Sequence, residues 1–245
     1  MTCAAIIEAR MASTRLPGKV LRPIMGRPML ELLIERLQRA ETLDCILVAT
    51  TEKGADDPIC ALAERLGIGY YRGSEEDVLD RVLRTARAFS VADIIEITGD
   101  CPLIDPAVVD RVVREYRGYS CEYASNVIRR TYPRGMDTQV FSTAVLERVA
   151  RLTDDPAYRE HVSLYIYEHP EIFRLCSIES GLPEWVTRLR LTVDTGEDFT
   201  LVSAIFEALS PQNPAFGLSD IVRLLEERPD LQEINRHVGH KEVYR

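Results

Sequence analysis

Ala4-Ala5-Ile6-Ile7-Glu8-Ala9-Arg10-Met11-Ala12-Ser13-Thr14-Arg15-Leu16-Pro17-Gly18-Lys19 is a short apolar run that breaks into a basic loop rich in small residues. The run 4–7 reads as a strand buried on both faces. From residue 9 to residue 30 the chain carries five cations, Arg10, Arg15, Lys19, Arg22 and Arg27, and no acid, although the 245-residue whole has a formal net charge of −9. Like charges gathered this way repel one another unless an anion lies against them. A strand feeding such a loop is a layout that wraps backbone N–H groups around phosphate, with Lys and Arg supplying charge. A nucleoside triphosphate is therefore the first candidate ligand, set against a plain solvated basic turn. The loop is not a Walker motif, because neither Ser nor Thr follows Lys19 and no G-x-x-x-x-G precedes it.

Outward from this loop the first half alternates in type. Leu30, Leu33, Ile34 and Leu37 predict a helix over 29–40, and 45–49 is a β-rich run ending in Thr50-Thr51. Residues 57–66 read as helix, 68–71 as extended, 75–89 as helix with Ser74 and Asp77 close to a capping box, 93–98 as strand and 106–116 as helix. This βαβα rhythm implies a largely parallel sheet covered on both faces, with ligands at the carboxyl ends of its strands. Beyond residue 119 the rhythm loosens. Segments 123–130, 136–141, 173–178 and 188–193 read as extended, and 142–152, 158–167, 198–209 and 219–227 as helical, with a turn at 211–214 and Pro229 ending a helix. The expectation is one α/β domain over 1–245 with an α+β insertion near 120–180.

Bulk properties narrow the class. Hydrophobic residues make up 46% and charged residues 28%, ordinary values for a globular chain with a full core. The acidic balance argues against nucleic acid or an anionic membrane as partner. Cys3, Cys45, Cys60, Cys101, Cys121 and Cys176 form no C-x-x-C pair and read as reduced thiols of a cytoplasmic protein. No apolar stretch approaches the roughly 18 residues of a membrane span, and no secretory signal opens the chain.

Two acidic turns follow strand-like runs. Thr98-Gly99-Asp100-Cys101-Pro102-Leu103 places a carboxylate where it can hold a hard cation, although a lone Asp in such a turn is more often a cap. Leu191-Thr192-Val193-Asp194-Thr195-Gly196-Glu197-Asp198 offers a second, with Asp194 read as a ligand and Asp198 as a helix cap.

Taken together, residues 10–19, Ala49-Thr50-Thr51, Arg72-Gly73-Ser74, residues 99–104 and residues 193–198 resemble, in kind and order, the cytidylyltransferases that make CMP-activated sugar acids. The likeness spans roughly residues 3–205. It is strongest to the SpsF-like branch, linked to spore coat polysaccharide, among relatives of the CMP-KDO and CMP-sialic acid synthetases. It implies a Rossmann-like nucleotide-diphospho-sugar transferase fold, a mostly parallel mixed sheet, Mg²⁺ dependence and a homodimer formed through the insertion. It also implies that Arg10, Arg15 and Lys19 hold the triphosphate of CTP, that Arg72 and Ser74 lie near the base, and that Ala9, Met11, Thr50 and Thr98 complete the nucleotide site. Asp100 and Asp194 become the metal ligands, and with Arg10 and Lys19 the catalytic set. In the insertion, Asn126, Arg134, Asp137, Glu160 and His161 are the candidates for a small anionic acceptor, arginines suiting carboxylate or phosphate. Glu8 departs from the family pattern, in which Pro or Gln is common, and is expected either to pair with Arg10 or to face the core edge. Three rival readings keep the same residues in view: a nucleotidyltransferase acting on a sugar 1-phosphate or phosphonate, a glycosyltransferase using a preformed nucleotide sugar, and a non-catalytic binder on the same scaffold.

Overall fold

The computed structural model describes residues 2–239. Among them the strands are β1 (Thr2–Glu8), β2 (Pro23–Ile24), β3 (Arg27–Pro28), β4 (Cys45–Thr51), β5 (Gly69–Gly73), β6 (Val91–Thr98), β7 (Tyr123–Ser125), β8 (Gln139–Ser142) and β9 (Leu175–Ser177). The run 4–7 is the heart of β1, which pairs in parallel with β4 on one side and β6 on the other. The full order is β5-β4-β1-β6-β8-β7-β9, with β8 antiparallel to both its neighbours and β9 parallel to β7. The insertion thus donates three strands to the same sheet, and β2 and β3 form a separate small hairpin.

Strand periodicity sorts the core into two layers. Cys3, Ala5 and Ile7 of β1, Ile46 and Val48 of β4, and Ile95 and Ile97 of β6 point to one face. There they meet α1 (Met29–Leu37), α2 (Asp57–Leu66), α4 (Pro106–Gly118), α9 (Gly196–Leu209) and α10 (Leu218–Glu227). Ala4, Ile6, Leu47, Ala49 and Ile94 point the other way, against α3 (Val78–Ala88), α5 (Thr143–Leu152) and α7 (Leu164–Glu168). Covering both faces is what permits unbroken apolar strands. Leu30, Leu33, Ile34 and Leu37 of α1 are all buried, each stabilising by about 1.5–3 kcal/mol relative to exposure. No helix among the described residues is long and apolar enough to cross a membrane.

The structure corrects several local readings. The helix expected from 75 begins at Val78, because Asp77 is its cap, accepting from the Asp80 N–H, while Ser74 Oγ accepts from the Asp77 N–H. The single helix expected over 158–167 is two, α6 (Pro156–Glu160) and α7, because the chain turns to let Ser163 Oγ donate to Gln139 Oε1 at 2.7 Å. The extended reading of 123–130 stops at Ser125, where the Asn126 side chain ties the turn to Met136 O and the Thr138 N–H. Pro229 opens the short α11 (Pro229–Glu233) as well as following α10.

The most consequential correction concerns 188–193, which follows the short α8 (Glu184–Thr187) and is not a strand. Its backbone bonds go to loops instead: Leu191 N–H to Arg134 O, and Val193 N–H to Asp100 O, both at 2.8 Å. One parallel bridge joins Arg134 and Arg190. Gly135 makes this possible, since its φ is +101° and a Cβ there would lie 2.6 Å from the Leu191 carbonyl.

Candidate active site

Parallel β1, β4 and β6 end together, so the loops that follow them meet at one edge of the sheet. The turn after β6 lies directly on the end of β1, with the Gly99 N–H donating to Glu8 O at 2.9 Å. A Cβ on Gly99 would sit 2.8 Å from that oxygen, so only glycine permits the approach. The basic loop is folded back by Met11, whose carbonyl accepts from both Ser13 and Gly18 at 2.9 Å. Buried Asp56 pins it to β4 by accepting from the Met11 N–H at 2.7 Å and from Thr51.

Within the resulting cleft of about 400 Å³ lie Ala9, Arg10, Arg15, Lys19, Thr98 and Asp100, together with Asp194, Glu160 and His161 from distant sequence. Asp100 and Asp194 are neighbours because Asp100 O accepts from the Val193 N–H and, at 3.1 Å, from Thr192 Oγ1. Lys19 joins them, its Nζ donating to Asp100 Oδ2 and Asp194 Oδ1 at 3.0 Å each and to Val193 O at 2.7 Å. Burial works against the Lys19 charge, yet the two carboxylates outweigh it and raise its pKa above the ordinary lysine value. Burial likewise opposes ionisation of Asp194, but the charge and hydrogen bond of Lys19, with Arg15 and Arg190, hold its carboxyl below the usual range. Arg15 reaches Asp194 Oδ2 at 2.9 Å and Arg190 the same oxygen at 2.6 Å.

Asp198, read as a cap, is one. Thr195 and Asp198 form a capping box at the start of α9. Asp198 also binds Arg190 Nε at 2.8 Å and Asn235 Nδ2 at 2.9 Å.

The other candidates do not line this cleft, although Arg134 and Asp137 lie near enough for Asp194 to act on the Arg134 charge and Asp137 on Cys101. Asn126 is fully buried with its amide committed to the β7–β8 turn, and Asp137 holds Arg130 through two bonds of 2.6 and 2.9 Å. Arg134 contributes its backbone bridge to Arg190, outside the lining. Arg72 donates to Thr51 O, Lys53 O and Asp57, Ser74 serves the turn before α3, and Thr50 is buried beneath the loops. Met11 supports the basic loop from behind.

Glu8 does not pair with Arg10, which lies 3.5 Å from Glu75. It lines the cleft beside Arg81, a residue missed by sequence reasoning. The available signal was a cation inside the apolar stripe of α3, between Val78 and Val82. Arg190, equally missed, pairs with Asp194 in the turn before α9 and with Asp198 inside it, a pairing that the strand reading of 188–193 gave no reason to expect.

A metal ion shared by Asp100 and Asp194 fits this donor set. Two carboxylates already converge on one cation, and magnesium typically takes one or two carboxylates with substrate phosphates and water. Among the described residues no group of three or more His, Cys, Asp or Glu is arranged to cage a metal alone.

A Rossmann-like sheet with a cationic loop after its first strand and two carboxylates opposite defines a nucleotidyltransferase. The cytidylyltransferase family model matches residues 4–237. An uncharacterised protein of Methanocaldococcus jannaschii is 36% identical, over 98% of this chain and 97% of its own. The spore coat polysaccharide biosynthesis protein SpsF of Bacillus subtilis is 34% identical, over 92% and 94%. A solved cytidylyltransferase from Leptospira borgpetersenii superposes with a TM-score of 0.90 at 30% identity, covering the whole of both chains. This chain belongs to the cytidylyltransferase family, in its SpsF-like branch.

Proposed function

We propose that the protein transfers CMP from CTP to an oxygen of a small anionic sugar acid, releasing pyrophosphate, in the synthesis of a surface glycan. The bond formed joins the acceptor oxygen to the α-phosphorus, and the bond broken is that from the α-phosphorus to the pyrophosphate oxygen. The observation that carries the reading is the convergence of Lys19, Asp100 and Asp194 at the mouth of the basic loop. Arg10 and Arg15 face the same cleft and suit a triphosphate, steadying charge on the departing pyrophosphate. Mg²⁺, held by Asp100 and Asp194, supplies further neutralisation of phosphate charge when bound. Little covalent work falls to the side chains, so positioning and electrostatics set the rate.

Glu160 and His161, at the end of α6, line the same cleft, and the Arg159 Nε bond to Asp77 at 2.9 Å fixes that helix against α3. With Glu8 and Arg81 they are assigned to the acceptor in this reading. A homodimer formed through the insertion belongs to the same reading.

The test is pyrophosphate release with Mg²⁺ and each of CTP, UTP, GTP and ATP against nonulosonic, octulosonic and phosphorylated acceptors. Release with CTP and a sugar acid is expected. Release only with a sugar 1-phosphate, or none from any triphosphate, sinks the proposal, the latter being the outcome for a glycosyltransferase.

A further inference from the structure

Lys19 directs all three N–H bonds of its ammonium at three acceptors, Asp100 Oδ2, Asp194 Oδ1 and Val193 O, and its side chain is only 11% exposed. The other carboxylate oxygens are engaged as well. Thr98 Oγ1 donates to Asp100 Oδ1 at 2.6 Å, and Arg15 and Arg190 hold Asp194 Oδ2. A magnesium ion bridging the two aspartates needs an oxygen from each at roughly 2.0–2.1 Å. The oxygens facing a common point are those on Nζ, so the ammonium stands where the ion would stand. Two cations on the same pair of oxygens repel strongly in a site this sheltered.

We propose that Lys19 is a positioning residue that holds Asp100 and Asp194 together in the nucleotide-free protein and gives them up to the divalent ion when the triphosphate arrives. The displaced ammonium has a destination, because Lys19 lines the same cleft as Arg10 and Arg15 and follows directly on the phosphate loop. The metal then binds poorly without nucleotide, and each ligand strengthens the other by the same factor. The inference rests on the cytidylyl-transfer reading for the nature of the anion, while the exchange itself involves no acceptor.

The experiment is a titration of the full chain with Mn²⁺ alone, without nucleotide, followed by electron paramagnetic resonance. Lys19→Gln and Lys19→Met are expected to bind Mn²⁺ about tenfold or more tighter than wild type, within the usual range of such couplings. Adding Asp100→Asn to either variant removes the gain. A folded Lys19 variant that binds Mn²⁺ as weakly as wild type, or more weakly, overturns the proposal, because a lysine that only braces the site would loosen the aspartates when lost. Should both variants fail to fold, wild type decides. Its thermal midpoint without nucleotide stays unmoved by Mn²⁺ if the ammonium holds the site, and a rise abolished by Asp194→Asn overturns it. Loss of pyrophosphate release with every acceptor, beside the expected Mn²⁺ behaviour, would strike the functional reading and leave the exchange standing.

Discussion

Arg190, 6% exposed, lies between Asp194 and Asp198, and Asp198 is wholly buried. Burial opposes the Asp198 charge, but the Arg190 and Asn235 hydrogen bonds hold its carboxyl below the usual range. Arg190→Leu leaves that charge without its main partner, and a loss of about 3–5 kcal/mol in urea unfolding is expected. Asp100→Asn keeps the shape and removes the charge. Pyrophosphate release should fall on the order of 10²–10³, as on deleting one strong electrostatic contact, with the unfolding midpoint little changed. Near wild-type turnover would remove Asp100 from the reaction. Asp100 and Asp194 were legible in sequence because each follows an apolar run and sits in a turn. Asn126 and Asp137 stand out in sequence by their clustering around Pro133 and Gly135, and local sequence does not reveal that Asn126 is buried with its amide spent on Met136 and Thr138 or that Asp137 holds Arg130.

Pairing of β1 with β6 sets Ile6 opposite Glu96 and Glu8 opposite Thr98, so Glu8 and Glu96 share the face of Ile6. Burial raises both carboxyls, the Glu96 charge adds to the cost at Glu8, and burial takes Glu96 to about 7 against the opposing pull of Ser163 and Gln139. The folded chain therefore holds a proton that the unfolded chain releases at lower pH. Stability from Glu96 is fully present below its unfolded value and is lost as pH rises toward 7, by up to about 3 kcal/mol. Glu96→Gln should flatten that decline in unfolding measured across the window. If wild type and variant run parallel, the pair is not a proton holder. The helical spacing that reveals α1 and the unbroken apolar run that reveals β1 are local signals, and those elements were legible. Residues 188–193 share the strand pattern, but their backbone partners are Arg134 and Asp100, set by tertiary docking that periodicity does not encode.

Across the whole molecule a charge of −9 surrounds a cleft that carries Arg10, Arg15 and Lys19. Salt screens attraction between a triphosphate and half-exposed Arg10 and Arg15 more than it disturbs buried Lys19, the Debye length falling from about 8 Å at physiological strength to about 3 Å at 1 M. KM for CTP should rise steadily over that range with kcat changing less, and a salt-independent KM would remove the loop arginines from nucleotide capture. The reversed strand β8 has a separate bearing on how the chain folds. In chain order β1, β4, β5 and β6 all precede Gln139, so a polypeptide ending short of β8 would leave the β6 flank as an open row of amides and carbonyls. Only docking of β8 closes that row and gives β7 its antiparallel neighbour. Whatever delays the docking of β8 on β6 leaves a vacancy that a passing strand, or a second copy, can fill.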